Sequence, residues 1–92
     1  MTQLYHNDMY QYDTPVNSYW EYSINSKKYN FSQLKHDTTS KVVVIGGGYT
    51  GLSCALHLSK EYQEDVILLE AGHIGWGSSA RNGGFCCIAP TK

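Results

Sequence analysis

Apolar residues are distributed unevenly along this chain, and the change falls near residue 40. Before it, Tyr5, Tyr10, Tyr12, Tyr19, Trp20, Tyr22 and Tyr29 stand among Asn, Asp, Gln and Ser and follow neither a period of 2 nor one of 3.6 for long. Residues 1–40 therefore read as a loosely structured, tyrosine-rich polar leader lying across a larger body, with one short helix around residues 18–26. From Lys41 the pattern sharpens. Val42-Val43-Val44-Ile45 is a β-branched run closed by three glycines, as expected of a strand buried on both faces. Residues 50–62 contain no proline and carry two apolar stripes at spacings of three and four, one of Gly51, Ala55 and Leu58 and one of Leu52, Ala55 and Leu56. They end in polar Lys60-Glu61, which completes the pattern of an amphipathic helix. The turn Gln63-Glu64-Asp65 then leads into Val66-Ile67-Leu68-Leu69-Glu70, a second apolar strand closing on a carboxylate. Strand, helix, strand predicts a βαβ unit with parallel pairing and a right-handed crossover. Residues 71–92 are rich in glycine and serine and predict a loop without a third strand.

Length and charge narrow the functional classes. A chain of 92 residues holds one compact unit at most. The boundary placed at residues 37–40 separates the leader, 1–40, from the incomplete start of an α/β domain, 41–92. The net charge is −1 and the seven Lys and Arg residues are scattered, so no basic stripe is available to neutralise a nucleic-acid backbone. No run approaches the roughly 20 apolar residues of a membrane-spanning helix. The first residues lack a basic stretch followed by an apolar core, which speaks against a secretory signal and leaves the cytoplasm as the expected location. Three cysteines, with Cys86 and Cys87 adjacent, make no disulfide framework and fit a reducing compartment. Cys54 reads as helix packing, and Cys86 and Cys87 as small buried hydrophobes rather than redox or cofactor-attachment sites. His6, His36, His57 and His73 have no spacing that suggests a zinc site or a catalytic base.

The chemistry lies in Gly46-Gly47-Gly48-Tyr49-Thr50-Gly51. This G-x-G-x-x-G pattern is weak alone, but here it follows a strand, opens a helix, and precedes a carboxylate, Glu70, at the end of the next strand. That conjunction marks a Rossmann-like dinucleotide site. Gly46 allows the tight turn, Gly48 lets a pyrophosphate approach the backbone, and Gly51 lets helix and strand pack closely. The amides of the helix's first turn, from Tyr49 through Thr50 and Gly51 to Leu52, are expected to face the phosphates. Glu70 should accept from the adenosine ribose hydroxyls and, being anionic, repel a 2′-phosphate, so NADP is disfavoured. This fingerprint does not choose between FAD and NAD.

After Glu70 the chain reads Ala71-Gly72-His73-Ile74-Gly75-Trp76-Gly77-Ser78-Ser79-Ala80-Arg81-Asn82-Gly83-Gly84. With the stretches VVVIGGGYTGLS and LLEAG, this run resembles the D-amino-acid oxidase-like FAD oxidoreductases, and a weaker likeness extends back to residue 15. The resemblance implies an N-terminal segment of an enzyme that oxidises an amine or amino-acid C–N bond, with FAD as cofactor. It implies further that Ala71 joins Glu70 among the cofactor-binding residues, that Ser78, Ser79, Arg81 and Asn82 supply donors to the pyrophosphate, and that Gly83 and Gly84 allow backbone approach beside the flavin. A guanidinium also suits phosphate on its own chemistry. Trp76, between glycines, reads as a packing residue of the loop. The Phe85-Cys86-Cys87 run is less typical of the family. The substrate-facing residues are expected beyond Lys92, so no residue here is assigned a catalytic role. The alternatives are an NAD-dependent dehydrogenase and a non-catalytic, truncated nucleotide-binding module.

Overall fold

The computed structural model describes residues 3–14, 17–23 and 30–84. Its order of elements is a 3-10 helix at Asn7–Tyr10, helix α1 at Tyr19–Ser23, strand β1 at Val42–Ile45, helix α2 at Tyr49–Lys60, strand β2 at Val66–Leu69, and a 3-10 helix at Ser78–Ala80. The expected strand, helix and strand are therefore present, and the class is α/β. The expected short leader helix is present over five residues; its extension to residue 26 lies outside the described residues, as do Cys86 and Cys87. Ser18 starts α1 by accepting from the Glu21 amide at 3.2 Å. That is an ordinary Ser N-cap.

β1 and β2 pair in parallel, with Val42 opposite Val66 and Ile45 opposite Leu69. The ladder extends at both ends, because Val42 N donates to Asp65 O at 3.1 Å and Gly46 N donates to Leu69 O at 2.7 Å. The start of β1 is further held by a Lys41–Glu64 ion pair and by the Ser40 hydroxyl, 3.0 Å from Asp65 O. Gly46 and Glu70 thus leave the sheet side by side, as the register requires.

α2 begins one residue earlier and ends two residues earlier than the sequence pattern suggested. Gly48 is its N-cap in extended conformation, and the Leu52 amide makes the first intrahelical bond to Gly48 O at 3.0 Å. At its other end the Glu61 amide donates to His57 O at 2.9 Å. His57 Nδ1 meets Glu61 Oε1 at 2.8 Å. Gln63 then takes a left-handed φ of 53°, which reverses the chain so that Glu64 N reaches Leu58 O at 3.0 Å.

Only one of the two apolar stripes of α2 faces the sheet. Gly51, Ala55 and Leu58 are half-buried, whereas Leu52 and Leu56 are exposed. Burial of β1 is likewise one-sided: Val42 and Val44 are half-buried, but Val43 is 50% exposed and Ile45 85%. The expectation of a strand buried on both faces is thus corrected, because one helix can cover one face of a sheet and no described element covers the other. No apolar side chain among the described residues is fully buried.

Candidate functional site

The glycine turn is shaped by two separate constraints. Gly46 has φ of +104°, outside the range that a side chain tolerates easily, although a Cβ there would meet nothing within 4 Å. At Gly51 the limit is contact: a Cβ would lie 1.8 Å from Gly46 O and 3.4 Å from Val44 Cγ1. Helix and strand approach each other only because that atom is missing.

Gly47, the variable position of the pattern, joins three segments, and the sequence reading assigned it no role. It is the one buried residue among those described. Its amide donates to Glu70 Oε2 at 2.6 Å, and its carbonyl accepts from Gly75 N at 3.0 Å. A Cβ on it would sit 2.6 Å from Ile74 Cδ1 and 3.1 Å from Glu70 Oε2. A third glycine in the run was the available signal.

Glu70 uses its other oxygen to accept from Gly72 N at 3.1 Å. The carboxylate therefore bridges the first loop and the second, at the mouth of the turn. This is a bracing role that the sequence reading did not include.

The second loop folds back over the start of α2. Ser79 Oγ accepts from Tyr49 N at 3.0 Å and would lie 2.7 Å from a Cβ at Gly48. The Tyr49 amide thus has a hydroxyl partner and the Leu52 amide an intrahelical one, while helix geometry leaves the Thr50 and Gly51 amides without an intrahelical acceptor. The N-cap supplies no side chain, so backbone N–H groups and the positive end of the helix dipole are presented at a bare turn. A pyrophosphate fits this chemistry.

The remaining predicted contacts divide. Ala71 and Ser78 are exposed, as are Gly83 and Gly84, and Gly84 has φ of +74°. Asn82 Nδ2 donates to Ser78 O at 3.1 Å and to Ser79 O at 3.0 Å, and Asn82 Oδ1 accepts from Gly84 N at 2.9 Å. Its side chain is thus spent on shaping the loop rather than offered as a donor. Arg81 places its guanidinium carbon 4.5 Å from the centroid of the Trp76 ring. Trp76 does act in packing: the Tyr12 ring meets it edge-on at 5.3 Å and 66°, and its Nε1 donates to Thr14 O at 3.4 Å. No group of His, Cys, Asp and Glu able to hold a metal occurs among the described residues, and no helix among them is long and apolar enough to cross a membrane.

Residues 41–90 match the model of the family described as FAD dependent oxidoreductase. Among curated proteins, the chain is 53% identical over 64 residues to gamma-glutamylputrescine oxidoreductase of Escherichia coli (strain K12), covering 68% of this chain and 15% of that protein. To "Probable oxidoreductase OrdL" of Haemophilus influenzae it is 36% identical over 75 residues, covering 82% of this chain and 17% of that one. To 4-methylaminobutanoate oxidase (formaldehyde-forming) of Paenarthrobacter nicotinovorans it is 42% identical over 52 residues, 53% of this chain and 6% of that one. The second match is longer than the stretch from residue 41 to residue 92, so it reaches into the leader. This chain spans less than a fifth of the length of each of these relatives. No solved structure matches.

Proposed function

Since the chain belongs to the FAD-dependent oxidoreductase family and its cofactor is FAD, we propose that residues 41–84 grip the ADP half of FAD in an enzyme that oxidises the C–N bond of a small amine or amino acid. The observation that carries this reading is the junction of Gly46 and Glu70. Parallel pairing brings them out of the sheet together, with a bare helix N-terminus beyond one and a carboxylate 2.6 Å from the Gly47 amide at the other. The Thr50 and Gly51 amides would hold the pyrophosphate, with the helix dipole favouring its charge. Glu70 would hold the ribose hydroxyls with the lone pairs that the Gly47 and Gly72 amides leave free. Ser78, Ser79 and Arg81 would close over the phosphates from the second loop, Asn82 holding that loop in shape and Gly83 and Gly84 leaving room for the flavin. When bound, FAD supplies the two-electron acceptor for hydride from the substrate carbon; the protein supplies orientation and exclusion of water. The amine class of substrate is supported by two relatives whose names specify an oxidoreductase of gamma-glutamylputrescine and an oxidase of 4-methylaminobutanoate.

The test is spectroscopic. The complete protein carrying this chain should purify with flavin absorption bands, and anaerobic addition of a small amine or amino acid should bleach them. Flavin bands that no amine or amino acid bleaches would overturn the substrate class. Absence of flavin, with no uptake of added FAD, would overturn the cofactor-site assignment.

A further inference from the structure

Resting on that FAD reading, we propose that the leader is a clamp on the cofactor loop, with Tyr12 and Thr14 as positioning residues that act through Trp76. Tyr12 presents its ring edge to the indole, and the Thr14 carbonyl accepts the indole N–H, across 62 positions of sequence. Arg81 stacks on the same ring. Gly72 records the same contact independently: a Cβ there would lie 3.3 Å from Tyr12 Cβ and 3.3 Å from Trp76 Cγ, so the leader and the indole fill the space around it. The leader is itself stiffened at this point, because Thr14 N donates to Gln11 O at 3.1 Å and the 3-10 helix Asn7–Tyr10 precedes it.

Trp76 is well placed to pass this restraint on. Its amide donates to His73 O at 2.9 Å, and the neighbouring Gly75 amide donates to Gly47 O at 3.0 Å, within the glycine turn. Two residues further along starts the 3-10 helix Ser78–Ala80, whose Ser79 hydroxyl lies at the N-terminus of α2. Fixing the indole therefore fixes the loop that must close on the pyrophosphate, and less conformational freedom remains to be lost when cofactor binds. The leader is then part of the cofactor site, although none of its residues need touch the cofactor.

The experiment compares Tyr12→Ala, Tyr12→Phe and wild type in the complete protein, reading hydrogen exchange of the apoprotein over residues 72–84 and the FAD dissociation constant of each. Tyr12→Ala should speed exchange across the loop and weaken FAD binding by about three- to tenfold, the range an edge-on aromatic pair supplies. Tyr12→Phe, which keeps the ring, should match wild type in both. Unchanged loop exchange in Tyr12→Ala would overturn the clamp, and so would faster exchange with an unchanged dissociation constant. A Gly48→Val control separates the two ideas: if that variant keeps FAD at full stoichiometry, the cofactor-site assignment itself is wrong, whatever Tyr12 does.

Discussion

At Gly51 and Gly48 the missing side chains serve different ends, and substitution should tell them apart. A Cβ at Gly51 would press on the backbone oxygen of Gly46, which cannot move without breaking the junction of turn and helix. Gly51→Ala should therefore destabilise the protein by about 1–3 kcal/mol, as overpacking does, and lose FAD as a consequence; chemical denaturation and FAD titration measure the two effects. At Gly48 the nearest atom is the Ser79 hydroxyl, the far end of a side chain that can rotate. Gly48→Val should accordingly leave the unfolding midpoint nearly unchanged and abolish FAD binding. Retention of FAD at wild-type stoichiometry would count against the pyrophosphate site. Glu70 has a structural duty and a proposed binding one. Glu70→Ala leaves the amide of buried Gly47 without its partner, which costs about 1–3 kcal/mol, and also removes the proposed ribose acceptor. Glu70→Gln keeps a carbonyl oxygen for the Gly47 amide but turns an NH2 donor toward the Gly72 amide, so it should recover only part of the stability while FAD affinity stays below wild type.

Among the elements, α2 shows what the pattern of residues could and could not convey. Two apolar stripes were legible in its sequence, but periodicity alone does not say which one meets a sheet. The structure chooses the Gly51, Ala55, Leu58 stripe because the small residues allow close approach to Val44, and it leaves Leu52 and Leu56 outside. The strands were legible because four-residue β-branched and aliphatic runs bounded by glycines or polar turns have few other readings. The loop after Glu70 was legible only by resemblance. Its internal bonds, such as Asn82 to the Ser78 and Ser79 carbonyls, depend on a backbone path that no period encodes. The end of α2 carries a prediction of its own. Gln63 holds a left-handed φ of 53°, a conformation costing an L-residue about 1–2 kcal/mol and glycine very little. Gln63→Gly should raise stability by up to about 1 kcal/mol, the gain being reduced by the greater freedom of glycine in the unfolded chain; denaturant unfolding of the complete protein reads the change.

For the molecule as a whole, the radius of gyration of 15.8 Å exceeds the roughly 12 Å of a compact domain of this length. Two strands, one covering helix and a leader attached through Trp76 bury no apolar side chain fully among the described residues. The 92 residues expressed alone should therefore unfold without a sharp thermal transition, fail to hold FAD tightly and form no peroxide with amines. Calorimetry, the visible spectrum and a peroxide assay test this together, and a yellow protein with amine-dependent peroxide formation would contradict it. The docking of the leader was the least legible feature at this scale. Its tyrosines follow no period, and nothing local in the sequence relates Tyr12 to Trp76.

The parallel register that delivers Gly46 and Glu70 to one end of the sheet has a corollary for engineering the chain. The residues proposed to meet the cofactor gather at that end, while the turn through residues 61–65 lies at the other, across the full length of both strands. Added residues are therefore tolerable in one place and ruinous in the other. A short flexible insertion after Tyr62, or a reporter domain fused there, should leave FAD stoichiometry intact, whereas a single residue added between Ile45 and Gly51 should eliminate it. The fold offers a tagging position as far from its chemistry as this βαβ unit allows.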